Sequence, residues 1–165
     1  MILTPEPLTV DAFAPFGSVV ECGAGDVLMI NDGTCERHHA LALIEHSEGR
    51  RAAVSIFRAQ PRTMPMRIAM MERHPLGSQA FMPMLHVEGD GDWLVVVADD
   101  DGGRPAPPRA FRARADQGVS YGTNVWHHPL IALGGVRLFT VIDAIGDEPN
   151  LEERDYAEPY VLESA

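Results

Sequence analysis

Two short segments hold side chains able to move protons or grip a metal. The first reads Glu72-Arg73-His74-Pro75-Leu76-Gly77-Ser78-Gln79 and the second Asn124-Val125-Trp126-His127-His128-Pro129. Successive side chains of an extended strand point to opposite faces, so a carboxylate and an imidazole two residues apart share one face. Arg67 to His74 reads as such a strand, with Ile68, Met70, Glu72 and His74 on one side and Arg67, Met71 and Arg73 on the other. If Ile68 and Met70 mark the inside, Glu72 and His74 point inward, and Arg73 belongs to structure or to a dimer contact. A carboxylate and an imidazole inside a fold are costly unless paired, hydrogen-bonded or bound to a ligand. The pair therefore points to a cavity rather than a filled core. Histidine exchanges protons near neutral pH, and a glutamate shielded from water can be raised far enough to join it. Glu72, His74, His127 and His128 are the acid/base candidates. Because His127 and His128 are neighbours on a strand, only one faces the cavity unless a bulge intervenes; His127 is preferred and His128 is the alternate.

The elements that must position these residues are mostly strands. Ala53 to Arg58, Arg67 to His74, Trp93 to Ala98, Ala110 to Ala113, Gly118 to Tyr121 and Val136 to Ala144 are short apolar or alternating runs punctuated by Gly, Pro and Asp. That punctuation is the pattern of a sandwich or barrel rather than of alternating strands and helices. Two short helices are expected, Thr9 to Phe16 with its cap-like Thr-Val-Asp start and Ala40 to Glu48. Turns are expected at Gly49, Gln60-Pro61 and His86 to Asp92. The loop Asp99 to Pro108 is expected to be the most mobile piece, and the acidic tail after Gly146 to wrap the surface. A turn through Pro75 and Gly77 would return Gln79 and Phe81 on a neighbouring strand, beside Glu72 and His74.

The chain has 165 residues, 45% of them hydrophobic, enough for one domain over residues 1–165 with a core of its own. Thirteen basic residues stand against 24 acidic ones, a net charge of -11 that repels phosphate backbones and anionic lipid surfaces and makes nucleic acid an unexpected partner. All thirteen are arginine, which excludes Schiff-base chemistry on lysine and leaves planar forks suited to a small carboxylate. The start MILTPEPLTV lacks a basic and then apolar leader, and the expected location is the cytoplasm. Cys22 and Cys35 make no metal-binding spacing and are expected as buried or idle thiols. Met64, Met66, Met70, Met71, Met82 and Met84 suit adaptable core filling.

The first segment resembles the opening motif of cupin barrels, in which two histidines one residue apart and a later glutamate hold a divalent metal. Asn124-Val125-Trp126-His127 resembles the second cupin motif, Gly-x-x-His, with Asn in place of Gly. This resemblance implies a ligand set of Glu72, His74, Gln79 and His127, which would suit Ni, Mn, Fe or Zn, and no organic cofactor. A longer series of blocks is similar to the ureidoglycolate lyase family: Asn31-Asp32-Gly33 with Arg37 and His39, Phe57-Arg58-Ala59-Gln60-Pro61, Glu72 through Pro83, and Asn124 through Leu130. They run in order from about Leu8 to Asp143. The acidic turn Val87 to Asp92 and the Leu85-His86 pair depart from the family pattern, which bears on substrate range.

That resemblance implies a mainly β, cupin-like double-stranded barrel, a homodimer, that splits ureidoglycolate into glyoxylate and urea in allantoin and purine breakdown. The substrate is a carboxylate beside a carbon carrying a hydroxyl and a ureido nitrogen, so a base must take the hydroxyl proton while the departing nitrogen gains one. Arg37 and Arg58 are candidates to grip the carboxylate, Gln79 and Tyr121 to hydrogen-bond the urea portion, and His39 and Trp126 to complete the binding set. Three alternatives stay open: a ureidoglycolate hydrolase releasing ammonia and carbon dioxide, a non-catalytic sensor of small carboxylates, and a metal-dependent oxygenase on the same barrel.

Overall fold

The run Trp93–Ala98 carries no polar side chain and is buried at every position, as befits a strand covered on both faces. Trp93, Val95 and Val97 enter one apolar cluster, while Leu94, Val96 and Ala98 enter a second on the opposite side. The computed structural model describes residues 1–84 and 91–164. In chain order its elements are β1 (Ile2–Leu3), β2 (Glu6–Pro7), α1 (Val10–Phe13), β3 (Gly17–Val20), β4 (Asp26–Ile30), β5 (Cys35–His39), β6 (Arg51–Ala59) and β7 (Met66–Arg73). They continue with β8 (Gln79–Pro83), β9 (Trp93–Ala98), β10 (Arg109–Ala113), β11 (Gly118–Tyr121), β12 (Trp126–His127), β13 (Ile131–Ala132), β14 (Arg137–Ile145) and β15 (Glu152–Leu162).

Two sheets face each other. One has the order β1-β15-β7-β12-β9-β10-β2, with β13 also on β9, and the other β3-β11-β8-β14-β6. The inner cluster takes Trp93, Val95, Val97 and Phe111 from the first sheet and Phe81, Val119, Tyr121 and Phe139 from the second. Trp93 meets Phe139 edge-on at 5.0 Å, and its indole N–H donates to the Gln117 carbonyl at 3.1 Å. The architecture is the expected mainly β, cupin-like barrel. No described helix is long and apolar enough to cross a membrane.

All six strands expected from periodicity are present, each within two residues of its expected limits. Of the two helices only the first forms, where the Thr9 hydroxyl accepts from the Ala12 N–H at 3.3 Å as an N-cap. Ala40 to Glu48 is irregular because its backbone bonds sideways rather than along itself. Ser47 N–H donates to Leu76 O and Ser78 N–H to Glu45 O, both at 3.0 Å. Tertiary partners outbid helix propensity there.

Two more expectations are corrected. The acidic tail is no surface wrapping: β15 lies between β1 and β7, with Tyr160 and Leu162 in the outer cluster and most of its acids in solvent. The Asp99 to Pro108 loop is cross-linked, with Ala106 N–H on Asp99 O, Asp101 and Arg104 bonded to each other, and Asp100 bridged to Pro105. The turn expected over His86 to Asp92, with the Leu85-His86 departure, lies outside the described residues except for Gly91 and Asp92. Cys22 and Cys35 are exposed and unbridged, so neither is buried.

Candidate active site

β7 and β12 pair with Glu72 opposite His127, and His127 in turn lies opposite Val97 of β9. Val97 belongs to the inner cluster, so this row faces the space between the sheets. Glu72 and His127 therefore point inward as expected, but Ile68 does not mark that side. It packs with Met71 in the outer cluster, and the alternation breaks where β15 shifts register against β7, between Asp155 and Tyr160.

After Arg73 the chain does not fold back as a hairpin. β7 and β8 lie in different sheets, and Pro75-Leu76-Gly77 carries the backbone across. Gly77 is required at that crossing, since a Cβ there would sit 2.5 Å from the Ala144 Cβ and 3.0 Å from the Glu45 carbonyl. Gln79 then opens β8, buried and opposite Tyr121 of β11. Asn124, standing where the cupin motif has glycine, adopts φ +67, a region Asn tolerates better than other side chains. Its N–H donates to the His74 carbonyl at 3.0 Å, tying the two histidine segments together.

The rings of His74 and His127 lie 5.2 Å apart. His74 Nδ1 meets the Asn150 carbonyl at 2.6 Å, and His127 Nδ1 meets the Val125 carbonyl at 2.9 Å. A carbonyl can only accept, so each Nδ1 carries a hydrogen, and the neutral form of each ring presents its lone pair at Nε2. Among the described residues both Nε2 atoms are buried without a hydrogen-bond partner, and so is Gln79 Oε1. Glu72 Oε1 stands 3.6 Å from His127 Nε2. One ligand atom from each of Glu72, His74 and His127 falls within 4.8 Å of the others, a triad able to hold a metal ion. Backbone carbonyls fixing Nδ1–H while Nε2 lone pairs converge on a carboxylate is the donor chemistry of a divalent-metal site.

Burial raises the Glu72 carboxyl, but the His127 side chain and the Coulomb attraction of His127, His74 and His128 in their protonated forms outweigh it, leaving the group below the ordinary glutamate value. Glu72 is thus a carboxylate at neutral pH, not the raised acid its shielding suggested. Tyr121 stacks on His127 at 4.3 Å and 14°, and burial, with the Glu72 charge, pushes its phenol up. The pairing decides between the tandem histidines, because His127 lies opposite Glu72 and Val97 on the inward row. Trp126 and His127 pair with Ala98 and Val97, but Ile131 pairs with Leu94, one residue out of step. His127 joins the triad and His128 does not. Burial lowers the His128 pKa most, and its Nδ1 meets Pro129 O at 2.8 Å.

Beside the triad opens a cavity of about 530 Å³, walled by Phe57, Arg58, Arg62, Glu72, Gln79, Phe81 and Leu130 among others. Of the expected substrate residues, Gln79 and Arg58 line it. Arg37 and His39 do not. They sit exposed on β5, in a two-stranded hairpin with β4 whose turn, Asn31 to Gly33, has three positive φ values. Trp126 is also misplaced by the sequence reading. It points to the outer cluster, fully buried, with its indole N–H on Asp100 at 2.8 Å and the Arg73 guanidinium 4.3 Å above its ring. Its odd position beside inward His127 was the signal for this.

Two residues escaped the sequence reading. Asn150, in the presumed surface tail, takes His74 Nδ1–H on its carbonyl and accepts the Leu76 N–H on its side chain at 2.7 Å. Arg62 lies one residue beyond the Phe57 to Pro61 block, and continuing past the Gln60-Pro61 turn would have reached it.

Fold and site together define a small β-barrel with a two-histidine, one-carboxylate centre on a cavity wall. A family model described as ureidoglycolate lyase matches residues 1–163. Ureidoglycolate lyase 1 of Rhizobium meliloti is 52% identical over 162 residues, covering 98% of this chain and 93% of that protein. The ureidoglycolate lyases of Agrobacterium fabrum and Brucella melitensis biotype 1 are 52% and 53% identical over 157 and 159 residues, each covering 94% of this chain and 92% of the relative. The chain belongs to the ureidoglycolate lyase family.

Proposed function

We propose that this protein cleaves ureidoglycolate to glyoxylate and urea. The carrying observation is the convergence of ionised Glu72 with the unpartnered His74 Nε2, His127 Nε2 and Gln79 Oε1 beside a cavity of substrate size, in a chain of this family. Glu72 accepts the proton of the substrate hydroxyl. As the carbon-nitrogen bond breaks, its electron pair passes to nitrogen, which takes up that proton, and the alkoxide oxygen becomes the aldehyde of glyoxylate. Gln79 orients the urea portion by hydrogen bonds, and Tyr121 holds the His127 ring in place.

Glu72, His74 and His127 would hold a divalent metal, with Gln79 as a fourth donor, and nickel, manganese, iron and zinc all suit this donor set. Such an ion supplies Lewis acidity toward the substrate oxygens. In this reading the protein works in the cytoplasm as a homodimer. Val27, Leu28 and Met29, exposed on the β4–β5 hairpin, favour a covered surface there.

The test is to incubate purified protein with ureidoglycolate and follow glyoxylate and urea. A rate no higher than spontaneous breakdown would sink the proposal, and ammonia with carbon dioxide would replace it with the hydrolase. Elemental analysis after purification without chelators should find about one divalent ion per chain. Light scattering checks the dimer.

A further inference from the structure

Several arginines of this acidic protein are occupied. Arg73, Arg109, Arg112 and Arg114 are ion-paired to Asp or Glu, and Arg50 donates to the carbonyls of Ala144 and Glu148. Two guanidinium-bearing residues line the cavity, Arg58 and Arg62, and neither has an ion pair or side-chain hydrogen bond among the described residues. Strand alternation separates them. Phe57 of β6 lies opposite Phe139, which is fully buried in the inner cluster, and Arg58 opposite Leu138, so Arg58 leaves β6 toward the other face. Arg62 lies beyond the strand and is free of that constraint. Its backbone is pinned where the two sheets meet, with Pro61 bridged to Ala132 and the Arg62 N–H on the Ala132 carbonyl at 2.9 Å.

We infer that Arg62 is the residue that grips the substrate carboxylate, resting on the cleavage reaction proposed above. Glu72 is the sole acidic group on the cavity wall among the described residues, and of the two arginines there Arg62 is the one that strand alternation does not turn away. A small 2-hydroxy or 2-oxo acid satisfies both: its carboxylate meets the Arg62 fork in two parallel hydrogen bonds, and its oxygen-bearing carbon turns toward Glu72 and the histidines. A free guanidinium also reverses the local field in a chain of net charge -11, which would otherwise repel such an anion. Arg37, the other partnerless candidate, is on the hairpin and does not line the cavity.

The experiment compares wild type with Arg62→Met, Arg62→Lys and Arg58→Met. Three quantities are read: KM and kcat for ureidoglycolate, inhibition by glyoxylate, and inhibition by N-(hydroxymethyl)urea, which is the substrate with hydrogen in place of the carboxylate. Arg62→Met should raise KM and the glyoxylate inhibition constant together by about 10- to 100-fold, the loss of a charge-assisted pair. N-(hydroxymethyl)urea should change by less than about threefold, and Arg62→Lys should fall between. Arg58→Met should move the anionic and neutral ligands by the same factor, without the anion-specific loss. If Arg62→Met moves the neutral and anionic ligands equally, or moves neither, or if Arg58→Met alone produces the anion-specific loss, the inference is overturned. Calorimetry of glyoxylate binding keeps the two proposals separable. Wild type that binds glyoxylate through Arg62 but turns nothing over defeats the cleavage reading alone, whereas no glyoxylate binding to wild type defeats the Arg62 assignment.

Discussion

Glu72 and Arg73 are chain neighbours, as are Trp126 and His127, yet the two faces of this strand pair follow opposite rules. On the outer face the polar groups are matched: Arg73 bonds Glu152 and Asp100, and Asp100 also accepts the Trp126 and Gly103 N–H groups. On the inner face His74 Nε2, His127 Nε2 and Gln79 Oε1 are buried with no partner. An unmatched buried polar atom costs about 1–3 kcal/mol. The outer face shows that these same two strands can avoid that cost, so its retention inside is a mark of a surface built for a ligand.

The largest expected effect breaks the inner face. Glu72→Gln or His127→Ala should lower kcat for glyoxylate release about 10²- to 10⁴-fold, with bound metal lost in parallel, while urea melts show little or no loss of stability. A variant that stays active but unfolds easily would reverse the roles assigned to the two faces. Next is Trp126→Ala on the outer face. It removes a fully buried indole and should cost about 3–5 kcal/mol in urea unfolding, leaving turnover per folded molecule within about tenfold of wild type. Loss of chemistry without loss of stability would put Trp126 back in the site.

The smallest effect sharpens the outer network. The Trp126 N–H bond, then the Gly103 N–H and the Arg73 guanidinium, hold the Asp100 carboxyl below the ordinary aspartate value. An aspartate lowered on folding contributes its full stability above its unfolded pKa of about 3.9, and loses that contribution as pH falls through the lower folded value. Melting temperature should therefore drop between neutral pH and about pH 3, and Asp100→Asn should flatten part of that fall. Equal acid slopes for the two proteins would remove Asp100 from the account.

Much of this was legible in the chain. Period-two alternation placed Glu72 and His74 inward and Arg73 outward, and the same rule applied to His127 would have turned Trp126 outward. Asn in place of the motif glycine is explained by its left-handed backbone at Asn124. What was misread shares a cause. Ala40 to Glu48 has helix-compatible residues, but its donors and acceptors are taken by the crossover at Leu76 to Ser78. The tail was read by its acidity, although Asn150 within it sets the His74 tautomer from 76 residues away.

The amino-acid pattern was enough for six of the strands and for the residue types of the site, because alternation and backbone sterics act between neighbours, but not for the faces of Ile68 and Trp126. Tertiary structure settled the preference for His127 over His128, since it is His127 that lies opposite Glu72 of β7 and Val97 of β9 and joins the triad. It also decided which arginines are ion-paired. Arg73 finds Glu152 across 79 positions of chain while Arg62, beside the cavity, finds no acid among the described residues. Ion pairing depends on what folding brings within a few ångströms, and no local pattern records that.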